Sequence, residues 1–172
     1  MKFLLLDLDD TLLDFGASEA DGLRKTLQWI GIMPTDEMVR RYSEINDAQW
    51  KLLEQGKLTR TQVKRRRFEL LFELLGVVHD VESVRLYYEK VLGESHVFFD
   101  GAEQFLKDVY GKYALYIVSN GTTAVQNGRI ARKNTLDLRV FFYTSYLVFN
   151  SFVLVDDEQF PSTLSILVFL KV

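Results

Sequence analysis

The sequence predicts an α/β fold, a doubly wound parallel sheet with an inserted bundle of helices. A short apolar run, Phe3 to Leu6, is followed directly by Asp7, which is typical of a buried strand that ends at a polar sheet edge. A second apolar run, residues 113–118, ends in the same way at Ser119. Between the two, residues 16–95 show helical periodicity and no strand-like alternation.

Composition narrows the class of protein. The chain has 172 residues, 48% hydrophobic and 26% charged, which is ordinary for a globular protein with one sizeable core. A net charge of −3 gives no reason to expect nucleic acid as a partner, and the absence of cysteine excludes disulfides and thiol chemistry. The apolar run before Asp7 is too short for a signal peptide, and the uncharged stretch 140–155 is shorter than the ~20 residues of a membrane span. We therefore expect a cytoplasmic protein with no membrane partner.

Residues 15–95 are predicted to form a helical domain of four short helices. Turn residues separate a helix at about 18–30 from one at about 36–55, and a fourth is expected at about 81–92. Thr59 and Gln62 predict a capping box for the third helix, which Gly76 ends. The basic run 64–67 lies within that helix and is expected on its solvated side. Short amphipathic helices with short links predict a small bundle.

The remaining segments, 1–14 and 96–172, are predicted to form the α/β core, with 138–172 atypical in composition. Asp100 and Glu103 suggest a capping box for a helix that ends before Gly111. The strand at 113–118 then runs into a small polar turn and a further helix. Such a turn at a helix N-terminus suits an anion, because backbone N–H groups point at the ligand.

Two strand ends therefore carry complementary chemistry. Asp7 and Asp9 offer carboxylates for proton transfer and for a metal ion, and crowded acids are costly unless a cation or a proton lies between them. Ser119, Asn120 and Gly121 offer groups that bind phosphate. Ligands bind at the carboxyl ends of strands in open α/β sheets, so these groups predict one site.

These motifs resemble those of the haloacid dehalogenase superfamily of phosphohydrolases. Asp7, Asp9 and Thr11 match its Asp-x-Asp-x-Thr motif, and Ser119 matches the strand-end Ser or Thr of its second motif. The segments around both motifs look like those of the bacterial pyrimidine 5'-nucleotidases. The resemblance covers about residues 1–137, and the inserted bundle corresponds to the cap of that family.

The resemblance implies a mechanism and a cofactor. Asp7 would attack the phosphoryl group to form an aspartyl phosphate, and Asp9 would act as general acid and then as general base. Mg²⁺ would be held by Asp7 and Asp9, the latter through its backbone carbonyl. Thr11 would position Asp9 and, with Ser119, Asn120 and Gly121, help to bind the phosphate. The implied substrate is a small phosphorylated metabolite such as a nucleoside 5'-monophosphate; a sugar-phosphate phosphatase or mutase is an alternative.

The C-terminal part departs from the family pattern. The nucleotidase branch carries a Lys-Pro pair, but the two prolines, Pro34 and Pro161, follow Met33 and Phe160. Residues 138–172 do not match, and they contain five charged residues: Arg139, Asp156, Asp157, Glu158 and Lys171. That family also has a later strand that ends in one or two acids, which complete its metal site. Asp156 or Asp157, after the apolar run 152–155, could take that role. A frameshift or truncation would instead leave an incomplete core and an inactive protein that at most binds phosphate.

Overall fold

The computed structural model describes residues 3–131 and 139–142, with side chains for residues 4–130. The chain divides into two compact units. Unit 1 consists of Met1–Phe15 together with His96–Val172, and unit 2 consists of Gly16–Ser95. That unit 2 serves as a cap stays a prediction.

Unit 1 contains a three-stranded parallel sheet, which confirms the predicted α/β class. The strands are β1 (Phe3–Leu6), β2 (Ala114–Ser119) and β3 (Arg139–Phe142), in the spatial order β1-β2-β3. Leu6 pairs with Ile117, and Ser119 pairs with Phe142. The predicted strand ending at Asp156 lies outside the described residues.

Two helices of unit 1 flank β2 in the chain, α5 (Ala102–Val109) before it and α6 (Thr123–Ala131) after it. The capping box predicted from Asp100 and Glu103 is wrong. Gly101 occupies the cap position of α5 in a left-handed conformation, with φ of 83°, and makes no side-chain capping bond. Residues from β1, β2, α5 and the loop after β1 form the apolar core of this unit: Leu6, Leu8, Leu12, Leu13, Ala102, Leu106, Leu115 and Ile117.

Unit 2 is made of four helices, α1 (Phe15–Trp29, whose first residue belongs to unit 1), α2 (Asp36–Glu54), α3 (Arg60–Leu75) and α4 (Val81–Glu94). The Thr59–Gln62 capping box is confirmed, since each partner bonds the backbone of the other. Gly76 ends α3 with φ of 65°, a conformation that glycine adopts without strain. Thr35 and Asp80 cap α2 and α4 through their side chains.

The core of unit 2 contains a buried polar network that corrects the expectation for the basic run. Arg67, the last residue of that run, is only 3% exposed and donates to Asn46 Oδ1 at 3.1 Å. Asn46 in turn donates to the buried carboxylate of Glu19 and accepts from Trp50. Arg65 and Arg66 remain exposed, as predicted. The i, i+4, i+8 face of α3 that begins at Val63 is buried, and Arg67 belongs to it.

The chain leaves and re-enters unit 1 through two adjacent segments. Asp14 donates from its backbone N–H to Val97, and Phe99 donates to Leu12. Leu13 and Phe98 form an antiparallel bridge between these bonds. Within residues 3–131 and 139–142, none of the helices combines the length and apolar character needed to cross a bilayer.

Candidate active site

The loop after β1 is a tight turn that separates apolar from polar side chains. Leu12 and Leu13 both donate from the backbone to the carbonyl of Leu8, at 3.0 and 2.9 Å. These three leucines are at most 4% exposed, so they anchor the loop in the core. Asp10, which lies at the turn with φ of 55°, is one of the residue types that tolerate this left-handed region. The residues beside these leucines, Asp7, Asp9 and Thr11, are therefore left partly exposed.

Asp7 follows β1 directly and is held from both sides of its carboxylate. Leu8 N–H donates to Oδ1 at 2.9 Å, and the Thr11 hydroxyl donates to Oδ2 at 3.3 Å. Thr11 was expected to position Asp9, but its hydroxyl contacts Asp7 instead. The two bonds orient the carboxylate that the sequence predicts to be the nucleophile.

The turn after β2 places the predicted phosphate-binding residues at the same sheet edge. Ser119, the last residue of β2, is 1% exposed, and its Oγ accepts from Gly121 N–H at 3.1 Å. Asn120 lies exposed between them. The first helical bond of α6 runs from Gln126 N–H to Thr122 carbonyl at 2.9 Å, so the N–H groups at the start of α6 face this turn without intrahelical acceptors. This arrangement suits an anion.

Two residues that the sequence did not single out hold the carboxylate of Asp9. Arg129 Nη1 donates to Oδ1 and Gln126 Nε2 donates to Oδ2, across about a hundred and twenty positions of sequence. Both side chains are buried, whereas the Asp9 side chain is 24% exposed. Gln126 and Arg129 are three residues apart on α6, the helix after the turn that follows β2. This spacing places both on one helix face and could have identified them from the sequence.

The acidic groups of the site fit a magnesium ion that is only partly held by protein. Asp7 offers a carboxylate and Asp9 a backbone carbonyl within one loop, and Mg²⁺ prefers such oxygen ligands. Mg²⁺ in phosphoryl-transfer sites takes one or two carboxylates and completes its shell with water and substrate phosphate. No cluster of three or more acidic, histidine or cysteine side chains suited to a metal occurs in the described part of the chain. Asp156 and Asp157, the predicted replacement ligands, lie outside it.

A cavity of about 640 Å³ opens on another side of the loop, beside Asp10, Thr11 and Asp14. Its other lining residues are mainly apolar: Leu6, Leu12, Phe98, Phe99, Ala102 and Phe105, with Asp100 and Gly101. Asp7, Asp9 and Ser119 do not line it. The apolar lining offers few donors for a phosphate, so the candidate site is the sheet edge and not this cavity.

The sequence and the fold of this chain are similar to those of known proteins. The chain is 37% identical over 129 residues to the putative HAD-hydrolase YfnB of Bacillus subtilis. The matched region covers 75% of this chain and 55% of YfnB. It is 36% identical over 132 residues to the pyrimidine 5'-nucleotidase PynA of Streptococcus pneumoniae, covering 76% of this chain and 56% of PynA. A crystal structure of YfnB bound to magnesium has a TM-score of 0.74 and 33% identity, covering 82% of this chain and 64% of YfnB. No family model matches.

These similarities relate the chain to hydrolases of the haloacid dehalogenase type. They confirm the resemblance stated from the motifs, whose residues lie in the loop after β1 and in the turn after β2. Within that class its sequence relatives include a pyrimidine 5'-nucleotidase, as the sequence predicted. The chain spans only about 55% of the length of these curated relatives. The similarity therefore concerns the part that carries both motifs and the helical unit.

Proposed function

We propose that this protein is a Mg²⁺-dependent phosphomonoester hydrolase that acts through an aspartyl phosphate, with nucleoside 5'-monophosphates as its substrates. The observation that carries the proposal is the position of Asp7 and Ser119, which end neighbouring parallel strands and so meet at one sheet edge. The likeness to PynA supports the choice of substrate.

In the proposed reaction Asp7 supplies the nucleophile. Its carboxylate oxygen bonds to phosphorus as the bond from phosphorus to the leaving oxygen breaks, and Asp9 gives its proton to that oxygen. A water molecule then attacks the aspartyl phosphate, Asp9 takes a proton from it, and inorganic phosphate leaves with the Asp7 carboxylate restored. Ser119 and the amide of Asn120 would donate to the phosphoryl oxygens. Of the other predicted phosphate-binding residues, Thr11 would support the site through its bond to Asp7, and Gly121 through its bond to Ser119.

Asp7 and the backbone carbonyl of Asp9 would hold the metal ion, whose chemistry is to neutralise charge between an anionic nucleophile and an anionic substrate. Arg129 Nη1 lies against Asp9 Oδ1, so a cation offsets the negative charge that Asp9 would carry once it has given up its proton. In this setting we expect a cytoplasmic enzyme that acts on small phosphorylated metabolites and binds neither nucleic acid nor membrane.

The test is turnover by the purified 172-residue chain. With p-nitrophenyl phosphate and Mg²⁺, we expect phosphate release that EDTA and Asp7→Asn both abolish, and a phosphate adduct on the peptide containing Asp7 after an acid quench. Asp10→Asn is the matched control, because it makes the same change in the same loop at a side chain whose described contact is with the Phe15 backbone. Turnover that survives Asp7→Asn would exclude Asp7 as the nucleophile.

A second candidate function is phosphate binding without catalysis. It is favoured by the absence of a Lys-Pro pair from the 172 residues. Metal-dependent turnover of any phosphomonoester rejects it, whereas inorganic phosphate binding without turnover supports it. A panel of nucleoside monophosphates and sugar phosphates then separates the nucleotidase from the sugar-phosphate phosphatase or mutase.

A further inference from the structure

Gln126 is bonded to both halves of the candidate site. Its Nε2 donates to Asp9 Oδ2 and, at 3.0 Å, to Ser119 Oγ. Its Oε1 accepts from Arg129 Nη1 at 3.3 Å. The residue is 2% exposed, so water does not compete for these bonds. One buried amide therefore connects the acid of the first loop to the hydroxyl of the second.

The direction of every bond in this network is fixed by chemistry. A guanidinium has only donors, so the amide must turn its oxygen to Arg129, which leaves its nitrogen to donate to Asp9. An amide nitrogen carries two hydrogens, and Asp9 and Ser119 take one each. The opposite amide orientation would face donor with donor at Arg129 and acceptor with acceptor at Asp9.

The network leaves the Ser119 hydroxyl with one hydrogen-bonding group unused, its hydrogen. A serine hydroxyl has two acceptor lone pairs and one hydrogen to donate. Gly121 N–H and Gln126 Nε2 occupy both lone pairs. The hydroxyl hydrogen is therefore available only as a donor, which is what a phosphoryl oxygen requires.

The backbone of the phosphate turn is shaped around Gln126. A Cβ on Gly121 would lie 2.2 Å from Gln126 Nε2 and 2.7 Å from its Cδ, so the Gln126 amide would have to move away from its present position. Gly121 does not have the positive φ that would by itself demand glycine. A glycine at this position therefore leaves room for the Gln126 amide in its observed place.

We propose that Gln126, oriented by Arg129, is a positioning residue that fixes the Ser119 hydroxyl as a donor to the substrate phosphate and holds the Asp9 carboxylate in place. The inference rests on the proposed function, since that function brings phosphate to Ser119 and proton transfer to Asp9.

The Ser119 part is tested by phosphate binding and not by turnover. Inorganic phosphate is titrated calorimetrically in Mg²⁺ buffer into the wild-type chain, Gln126→Met, Ser119→Ala and the double variant. We expect each single variant to bind about tenfold more weakly, the loss typical of one hydrogen bond, and the double variant to bind no more weakly than Ser119→Ala. Gln104→Met, an exposed glutamine of the same unit, should bind like wild type.

The proposal would be overturned if the loss of phosphate affinity in the double variant equalled the product of the losses in the two single variants. A residue that merely supports the fold would weaken binding with or without the Ser119 hydroxyl. Absence of phosphate binding by the wild-type chain would overturn it as well. If Gln126→Met fails to fold, Gly121→Ala replaces it in the same cycle, because the added methyl displaces the Gln126 amide and leaves its side chain intact.

The Asp9 part is tested by steady-state kinetics. In the Ser119→Ala background, Gln126→Met should lower kcat about tenfold further with KM unchanged, since only the link to Asp9 remains to be lost. An unchanged kcat would overturn this part. A wild-type chain without turnover would reject the proposed function and the Asp9 part with it, whereas the phosphate cycle would still decide the role of Gln126 toward Ser119.

Discussion

Replacing Arg67 with methionine should lower the stability of unit 2 by about 3 kcal/mol. The guanidinium donates to Asn46 at 3.1 Å and lies over the ring of Tyr88, with its carbon 4.8 Å from the ring centroid. A hydrogen bond from a charged group is worth ~1.5–3 kcal/mol, and a desolvated cation–π contact ~2 kcal/mol. Methionine keeps most of the volume and removes the cost of burying a charge, which brings the net loss to about 3 kcal/mol.

The assay is urea unfolding followed by tryptophan fluorescence. Both tryptophans, Trp29 and Trp50, belong to unit 2, and Trp50 donates to Asn46 at 3.1 Å, so the signal reports this unit and this network. A loss of about 3 kcal/mol corresponds to a midpoint lower by about 2 M urea.

Arg65→Met is the matched control for this variant. Arg65 lies two residues away on the same helix, its side chain is 51% exposed, and its ion pair with Glu69 is a surface pair. Removing such a pair changes stability by less than about 0.5 kcal/mol. If Arg67→Met were as stable as Arg65→Met, packing of the aromatic rings and not the buried cation would hold this core together.

Two further predictions concern the helix caps of unit 2. Thr59→Ala should lower the free energy of unfolding by about 1 kcal/mol in the same fluorescence assay, because it removes the capping bond that the Thr59 hydroxyl accepts from Gln62 N–H. Thr59→Ser keeps this acceptor and should stay near wild type, and equal midpoints for the two variants would refute the capping role. Hydrogen bonds from the Ser83 hydroxyl and backbone lower the pKa of Asp80 below its usual 3.8. Its carboxylate therefore stabilises the folded state above that value and loses this effect as the pH falls through the lowered pKa. In Asp80→Asn the free energy of unfolding should therefore fall less steeply as the pH is lowered below 3.8. An unchanged pH dependence in this range would contradict the assignment.

Features encoded by neighbouring residues were predictable from the sequence. β1 was predicted with its observed bounds because an unbroken apolar run meets a carboxylate, and the α3 cap because Thr59 and Gln62 are three positions apart. The α5 cap failed although its pattern was equally local. The left-handed conformation of Gly101 starts that helix at Ala102, so the Asp100 side chain makes no capping bond to it.

Features that depend on which helix face is buried were not predictable in the same way. Arg67 and Arg129 look like surface cations in the sequence, yet both are nearly inaccessible. Their partners lie 21 and 120 positions away, and only the packed structure brings them together.

The pairing of β1 with β2 has a consequence for how the chain folds. Phe3 pairs with Ala114, so β1 must close a long loop before its ladder can form. If unit 2 folds first, the adjacent bonds of Asp14 with Val97 and of Phe99 with Leu12 shorten the effective loop to about a quarter of its contour, which lowers the closure cost by roughly 1 kcal/mol. Helical unit 2 is rich in local contacts and should form fast, whereas the parallel ladder should form late. During synthesis β1 would be made before β2 and would stay unpaired until β2, more than a hundred residues later in the chain, has been made.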